Sequence, residues 1–192
     1  MFKKLYQNTM NLALKPWATS ALMFIAAIES IFFPIPPEVI LITLCHTKPK
    51  RSFYYAALCT IGSLIGATIA YFLGFYLWEA IQDFFFNYIF SVEKFNAVKE
   101  KYDLYKEWAV FLGAFTPLPF KVFTLTAGVF KLSFSSFIFT AFLGRFIRYH
   151  LVASLFFFFG PTIKPFIDKN FNYLVVLGTI FLVAGFYTLK FL

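Results

Sequence analysis

Residues 34–39 read Pro-Ile-Pro-Pro-Glu-Val, and residues 117–122 read Pro-Leu-Pro-Phe-Lys-Val. Offset by 83 positions, Pro34 meets Pro117, Pro36 meets Pro119, Glu38 meets Lys121 and Val39 meets Val122. An apolar stretch leads into each copy and a long glycine-bearing run follows it, with Gly62 in the first and Gly144 in the second. Proline removes a helix donor and clashes with the turn before it. Each copy therefore breaks a helix, and the two together read as an internal repeat. In the first copy the pattern predicts a helix over about 18–33, a break that includes Pro37, and a second piece to about 45. The residues leave open whether the chain crosses or turns back there.

The surroundings of these breaks decide the solvent. Residues 52–78 carry no charge; such a run spans ~40 Å as a helix, enough to cross a ~30 Å hydrocarbon core with tilt. Residues 134–160 form another span that carries Arg145 and Arg148, and 171–189 are uncharged again. Over the whole chain 60% of residues are hydrophobic and 14% charged, against ~25% charged in a soluble domain. A chain of this composition cannot cover a water-facing surface. The fold class expected is an all-α integral membrane protein, with two Pro-broken segments arranged as a repeat that an inverted topology would suit. A backbone that leaves the helix inside a bilayer must be satisfied by protein or by a wet cavity, and matched interruptions in two halves point to a binding site between them.

The expected organisation is an amphipathic interfacial helix over 1–15 and one transmembrane domain over 16–192. Its halves are about 17–79 and 108–160, joined by a mixed-charge amphipathic linker over 80–107, with a last span over 171–190. Gly62, Gly66, Ala70 and Gly74 recur every four residues and form a stripe that lets a helix approach closely; Gly128 and Gly144 are further packing candidates.

Five ionisable groups lie inside apolar stretches: Glu29 and Glu38 in the first half, Lys121, Arg145 and Arg148 in the second. Each costs at least ~2.5 kcal/mol near the membrane centre, so they must pair or line a wet cavity. Pairing alone, for example Glu38 with Lys121, leaves one cation over. A net positive cavity flanked by broken helices suits an anion, and arginine suits phosphate. The two acids are then candidates for binding protons. Arg145 and Arg148 are three apart and share a helix face; His150 reads as structural.

Other classes receive little support. The net charge of +8 resides in short runs (Lys3, Lys4; Lys48, Lys50, Arg51) beside apolar stretches, the mark of cytoplasmic loops and not of a nucleic-acid surface. If both runs are cytoplasmic, 17–47 enters the membrane and returns. Cys45 and Cys59 read as small buried hydrophobes. No metal spacing, cofactor motif or catalytic triad is visible, so neither metal nor cofactor is expected, nor an enzyme. Lys3 and Lys4 fit the start of a signal peptide, but Gln7, Asn8 and Asn11 interrupt its apolar core.

Glu29-x4-Pro-x-Pro-Pro-Glu38, Gly62-x3-Gly66-x4-Tyr71-x2-Gly74, Phe115-x-Pro-x-Pro-x-Lys121-x6-Gly128-Val129 and Gly144-Arg-Phe-x-Arg-Tyr149 together resemble the DedA superfamily, also called the VTT or SNARE-associated domain family, in its YqaA-like branch. The resemblance covers about residues 18–160. It implies a bacterial inner-membrane protein with two re-entrant hairpins facing each other, and acids and bases between them. It also implies a link to scrambling or recycling of anionic lipids, polyprenyl phosphate among them, and to membrane homeostasis dependent on the proton gradient. Glu29 and Glu38 take the place of the family's hairpin acids, and Lys121 falls near its second-hairpin base. The chain departs from the family's Gly-Arg-Phe-x-Pro-x-x-Arg, reading Gly113-Ala114-Phe115-Thr116-Pro117-Leu118-Pro119-Phe120, and Phe75 stands where an arginine follows Gly74. The function expected is a lipid translocase or scramblase whose partners are membrane lipids and protons. The alternatives are an ion-coupled transporter of a small anion and a non-transporting scaffold. The sequence leaves the oligomeric state open, a homo-oligomer included.

Overall fold

The computed structural model describes Lys15 and residues 17–32, 36–88, 91–116 and 118–160. The expectations for residues 1–14, for Pro34 and Pro117, and for the last span over 171–190 lie outside them. Every element among the described residues is helical.

Helix α1, Ala18–Ile31, ends just ahead of the first proline cluster. Helix α2, Glu38–Thr47, starts directly after Pro37, because a proline at a helix start gives up a donor that has no partner there. After a 3-10 turn at Pro49–Arg51, α3 runs over Ser52–Tyr88. Helix α4, Val92–Phe115, is kinked at Tyr105 (φ −126°, ψ 15°). Helix α5, Phe120–Val129, begins after Pro119, and α6 covers Phe134–Gly160. Between α5 and α6, Lys131 takes a left-handed conformation, φ 54°.

The lengths sort these helices into two kinds. Helix α1 has 14 residues and α2 and α5 have 10 each, or ~21 Å and ~15 Å, well short of a ~30 Å core. Pro49–Ala80 and Phe134–Gly160 are both long and apolar enough to cross a membrane. Helix α3 outruns the uncharged segment by ten residues, passing Glu79 and Asp83. Its end packs on the start of α4: the Trp78 and Phe95 rings stack at 4.8 Å, with Phe86 edge-on to both. The mixed-charge stretch over 80–107 is thus shared between two helices and is not a linker helix of its own.

Helix α3 is the hub. A Cβ on Gly62 or Gly66 would strike the Met23 and Ala27 carbonyl oxygens, so α1 lies backbone to backbone along α3. Gly74 faces the Leu125 carbonyl and Gly128 faces Tyr71, which seats α5 further along the same helix. The regular stripe of small residues therefore receives two helices in succession. Helices α3 and α6 run antiparallel, as Pro49 meets Gly160, Phe53 meets Phe157 at 4.9 Å and Tyr71 meets Phe137 at 5.0 Å. Two cores result. One joins Leu22, Leu41, Cys45, Cys59 and Tyr149; the other joins Tyr71, Val110, Phe120 and Phe137.

The outer faces of the long helices are large and apolar. Ile61, Ile65, Ile69 and Leu73 on α3 and Phe139, Ile147, Leu151 and Leu155 on α6 are exposed. Soluble monomers rarely expose apolar patches beyond a few hundred Å², so these faces suit lipid.

Candidate functional site

The five ionisable residues expected inside the membrane converge where α1 ends and α2 and α5 begin. The last carbonyls of a helix have no partner within it. At α1, Lys121 Nζ from the first turn of α5 donates to the Phe32 carbonyl at 3.1 Å, and Thr124 Oγ1 donates to the Ser30 carbonyl at 3.3 Å. At α4, Arg148 Nη1 donates to the Thr116 carbonyl. Each interrupted helix is thus closed by a donor from another element.

Arg148 also bonds Glu38: its Nε lies 2.5 Å from Oε1, with both side chains partly exposed, at 20% and 15%. One guanidinium therefore joins the start of α2 to the end of α4. The pairing of Glu38 with Lys121 suggested by the sequence is replaced by this one, because the first turn of α5 lies against the last turn of α1 and carries Lys121 to a carbonyl. The other carboxylate oxygen, Glu38 Oε2, is buried without a hydrogen bond among the described residues.

Arg145 is far more enclosed. Its Nη2 lies 3.1 Å from Glu29 Oε2, its Nη1 donates to Tyr149 Oη at 2.7 Å, and the guanidinium sits 4.1 Å above the Phe120 ring. Burial takes Arg145 to 1% exposure, and its Nε has no partner among the described residues. Arg145 thereby reaches the start of α5 at Phe120, and Arg148 reaches the end of α4 at Thr116.

Sequence reasoning missed the hydroxyls of the site. Ser30 Oγ lies 2.8 Å from Ser63 Oγ and 3.4 Å from Glu29 Oε2, and Thr124 links α5 to α1. Small hydroxyl residues scattered through apolar helices carry no periodic signal; Tyr149 entered the sequence reading only as the end of the Gly144–Tyr149 motif. His150 lies apart from the charges, stacked on Phe146 at 3.8 Å and on Phe53 at 6.0 Å. An apolar hollow of about 570 Å³ runs along α3 between Thr68 and Ala80 and includes none of the five charges.

These features define a helical protein of membrane type, with a charge cluster held between interrupted helices. The VTT domain model matches residues 35–158, and the chain belongs to that family, the DedA or SNARE-associated group, which is membrane-associated. It is 33% identical over 193 residues to an uncharacterised protein of Haemophilus influenzae, covering 99% of this chain and 98% of that one. It is 34% identical over 155 residues to an uncharacterised protein of Histophilus somni, covering 81% of each. No solved structure matches.

Proposed function

We propose that this protein translocates or scrambles lipids with anionic head groups, phospholipid or polyprenyl phosphate, across a bacterial inner membrane, and is not an enzyme. The observation that carries this reading is the position of the internal cation that has no carboxylate partner among the described residues. Three cations face two carboxylates, and the carboxylates go to Arg145 and Arg148. Lys121 is left half-buried on a carbonyl, with Phe32 and Val122 beside it 65% and 52% exposed. A positive charge rimmed by exposed apolar side chains is open sideways to lipid, as a lipid head group requires. A small water-borne anion would need an enclosed polar chamber.

The inverted-repeat reading adds support. Two interrupted helix pairs, α1–α2 and α4–α5, each precede a long helix; the long helices are antiparallel; and in each half a glycine of the long helix receives the leading helix of its pair, Gly62 and Gly66 for α1 and Gly144 for α4. The breaks are reached by Ser63 of α3 and by Arg145 and Arg148 of α6. Helices α1 and α2, each too short to cross, read as one re-entrant hairpin on that basis, and α5 with the part of α4 beyond the Tyr105 kink reads as its counterpart. The reach of Arg145 and Arg148 into the second hairpin supports their standing in for the family's arginines there.

The test is lipid scrambling in proteoliposomes, followed as fluorescent lipid lost to an external quencher. The wild type is expected to flip lipid, and Lys121→Ala and Glu38→Gln to slow it in folded protein. Wild-type protein that is folded and inactive would refute the scramblase reading. A scaffold is the second reading, favoured by the pairing of four of the five charges; it predicts that the inactive wild type still tolerates apolar replacement of the Glu38–Arg148 pair.

A further inference from the structure

Ser30 and Ser63 are both fully buried, and their hydroxyls meet between α1 and α3. The proton directions in this pair follow from the available acceptors. Ser63 has Ser30 as its hydrogen-bond partner among the described residues. Ser30 has two further acceptors, the Ala26 carbonyl at 3.1 Å and Glu29 Oε2 at 3.4 Å. A buried hydroxyl proton without an acceptor is costly, so Ser63 donates to Ser30, and Ser30 passes its own proton to Ala26 or to Glu29. The adjoining Gly62 and Gly66 hold the two helices in backbone contact, which fixes the separation of the two hydroxyls.

We infer that Ser63 is a positioning residue that acts through Ser30 on the Glu29 carboxylate. Oxygen Oε2, which receives Ser30, is the same oxygen that lies nearest Arg145. The serine pair and the guanidinium therefore meet on one carboxylate oxygen, and together they fix its position. Without the Ser63 proton, Ser30 loses its incoming donor and its hold on Oε2 weakens. The charged group bonded to Glu29 is Arg145 of α6, which in turn bonds Tyr149 of the same helix. For transport, the inference rests on the lipid-translocating reading; for the geometry of Glu29, it stands alone.

The experiment is infrared difference spectroscopy of the purified full-length protein. The Glu29 carboxylate band is assigned as the one lost in Glu29→Gln. Ser63→Ala and Ser30→Ala are both expected to shift that band. Thr60→Ala should leave it in place, because Thr60 is a buried hydroxyl one turn away that bonds only the Ala56 carbonyl. Lipid flipping by Ser63→Ala is expected to fall about three- to tenfold, the range of one buried neutral hydrogen bond. A band that stays put in Ser63→Ala, or that moves equally in Thr60→Ala, overturns the inference whatever the flipping rate. A band that shifts in a protein whose wild type flips no lipid keeps the inference and removes the lipid reading.

Discussion

Arg145→Met tests whether the buried pair ties the two halves together. Methionine is close to arginine in volume but ends about where Nε lies, so the cation and its contact with the Phe120 ring are removed with little other loss of packing. What remains is Glu29, at 16% side-chain exposure, without its cation. Removing one partner of a buried pair costs ~3–5 kcal/mol, mostly through the charge left behind; the residual exposure of Glu29 places the expectation at the lower end, ~3 kcal/mol. That corresponds to a change of about a hundredfold in the folding equilibrium constant. The double variant Glu29→Gln/Arg145→Met removes both charges and should recover most of the loss, leaving a coupling of more than ~2 kcal/mol between the sites. Reversible denaturation of the purified protein in mixed micelles would supply all four corners of the cycle. Single-variant costs that simply add, within ~0.5 kcal/mol, would refute the claim that Arg145 and Glu29 act as a pair.

Gly66→Ala would push a methyl into the Ala27 carbonyl and should cost ~1–3 kcal/mol by overpacking, read as a lower denaturation midpoint. Glu79→Gln breaks the 2.8 Å pair with Lys131, but both side chains are about half exposed, so its cost should stay under ~1 kcal/mol. Lys121→Ala should slow lipid flipping while changing the midpoint little, and Lys121→Arg should restore flipping because it keeps the charge at the Phe32 carbonyl; loss in both variants would argue against a charge role. Single cysteines at Lys15 and Lys50 should be labelled from one side of the membrane and a cysteine at Lys131 from the other, with little background because Cys45 and Cys59 are buried; labelling of Lys15 and Lys50 from opposite sides would refute a hairpin that enters and returns.

The breaks in the helices were legible because the proline effect is local: whatever packs nearby, Pro37 and Pro119 each stand directly ahead of a helix start. The span over 134–160 was legible for the same reason, since a long apolar run bounded by Lys131 and Pro161 needs no tertiary information. Partner choice was not legible. Glu38 goes to Arg148 instead of Lys121 because of how α6 is rotated against the breaks, and rotation is set by contacts such as Tyr71 with Phe137 and Gly160 with Pro49. The fate of 80–107 was hidden likewise. Its polarity was visible, but the aromatic stack of Trp78 on Phe95 that carries α3 past its apolar end joins residues 17 positions apart.

The helix breaks and the charges have one physical cause. The ends of α1 and α4 expose carbonyls, which are negative ends of helix dipoles and need donors. Lys121 closes the first and Arg148 the second. The cations are therefore held in part by neutral carbonyl oxygens, which are weaker partners than a phosphate. An arriving anion can draw such a donor away, whereas Arg145, bonded to Glu29 and Tyr149 and covered by Phe120, gives up ion-pair and hydrogen-bond partners if it moves. On the lipid-translocating reading the labour divides: Arg145 and Arg148 hold carboxylates, and Lys121, bonded to a carbonyl, is the cation free to exchange partners. That reading also ties ligand to shape, since a head group that takes Lys121 uncaps the end of α1. A protein in which anion binding leaves the separation of Phe32 and Val122 unchanged, measured between spin labels at those two exposed positions, would break that link.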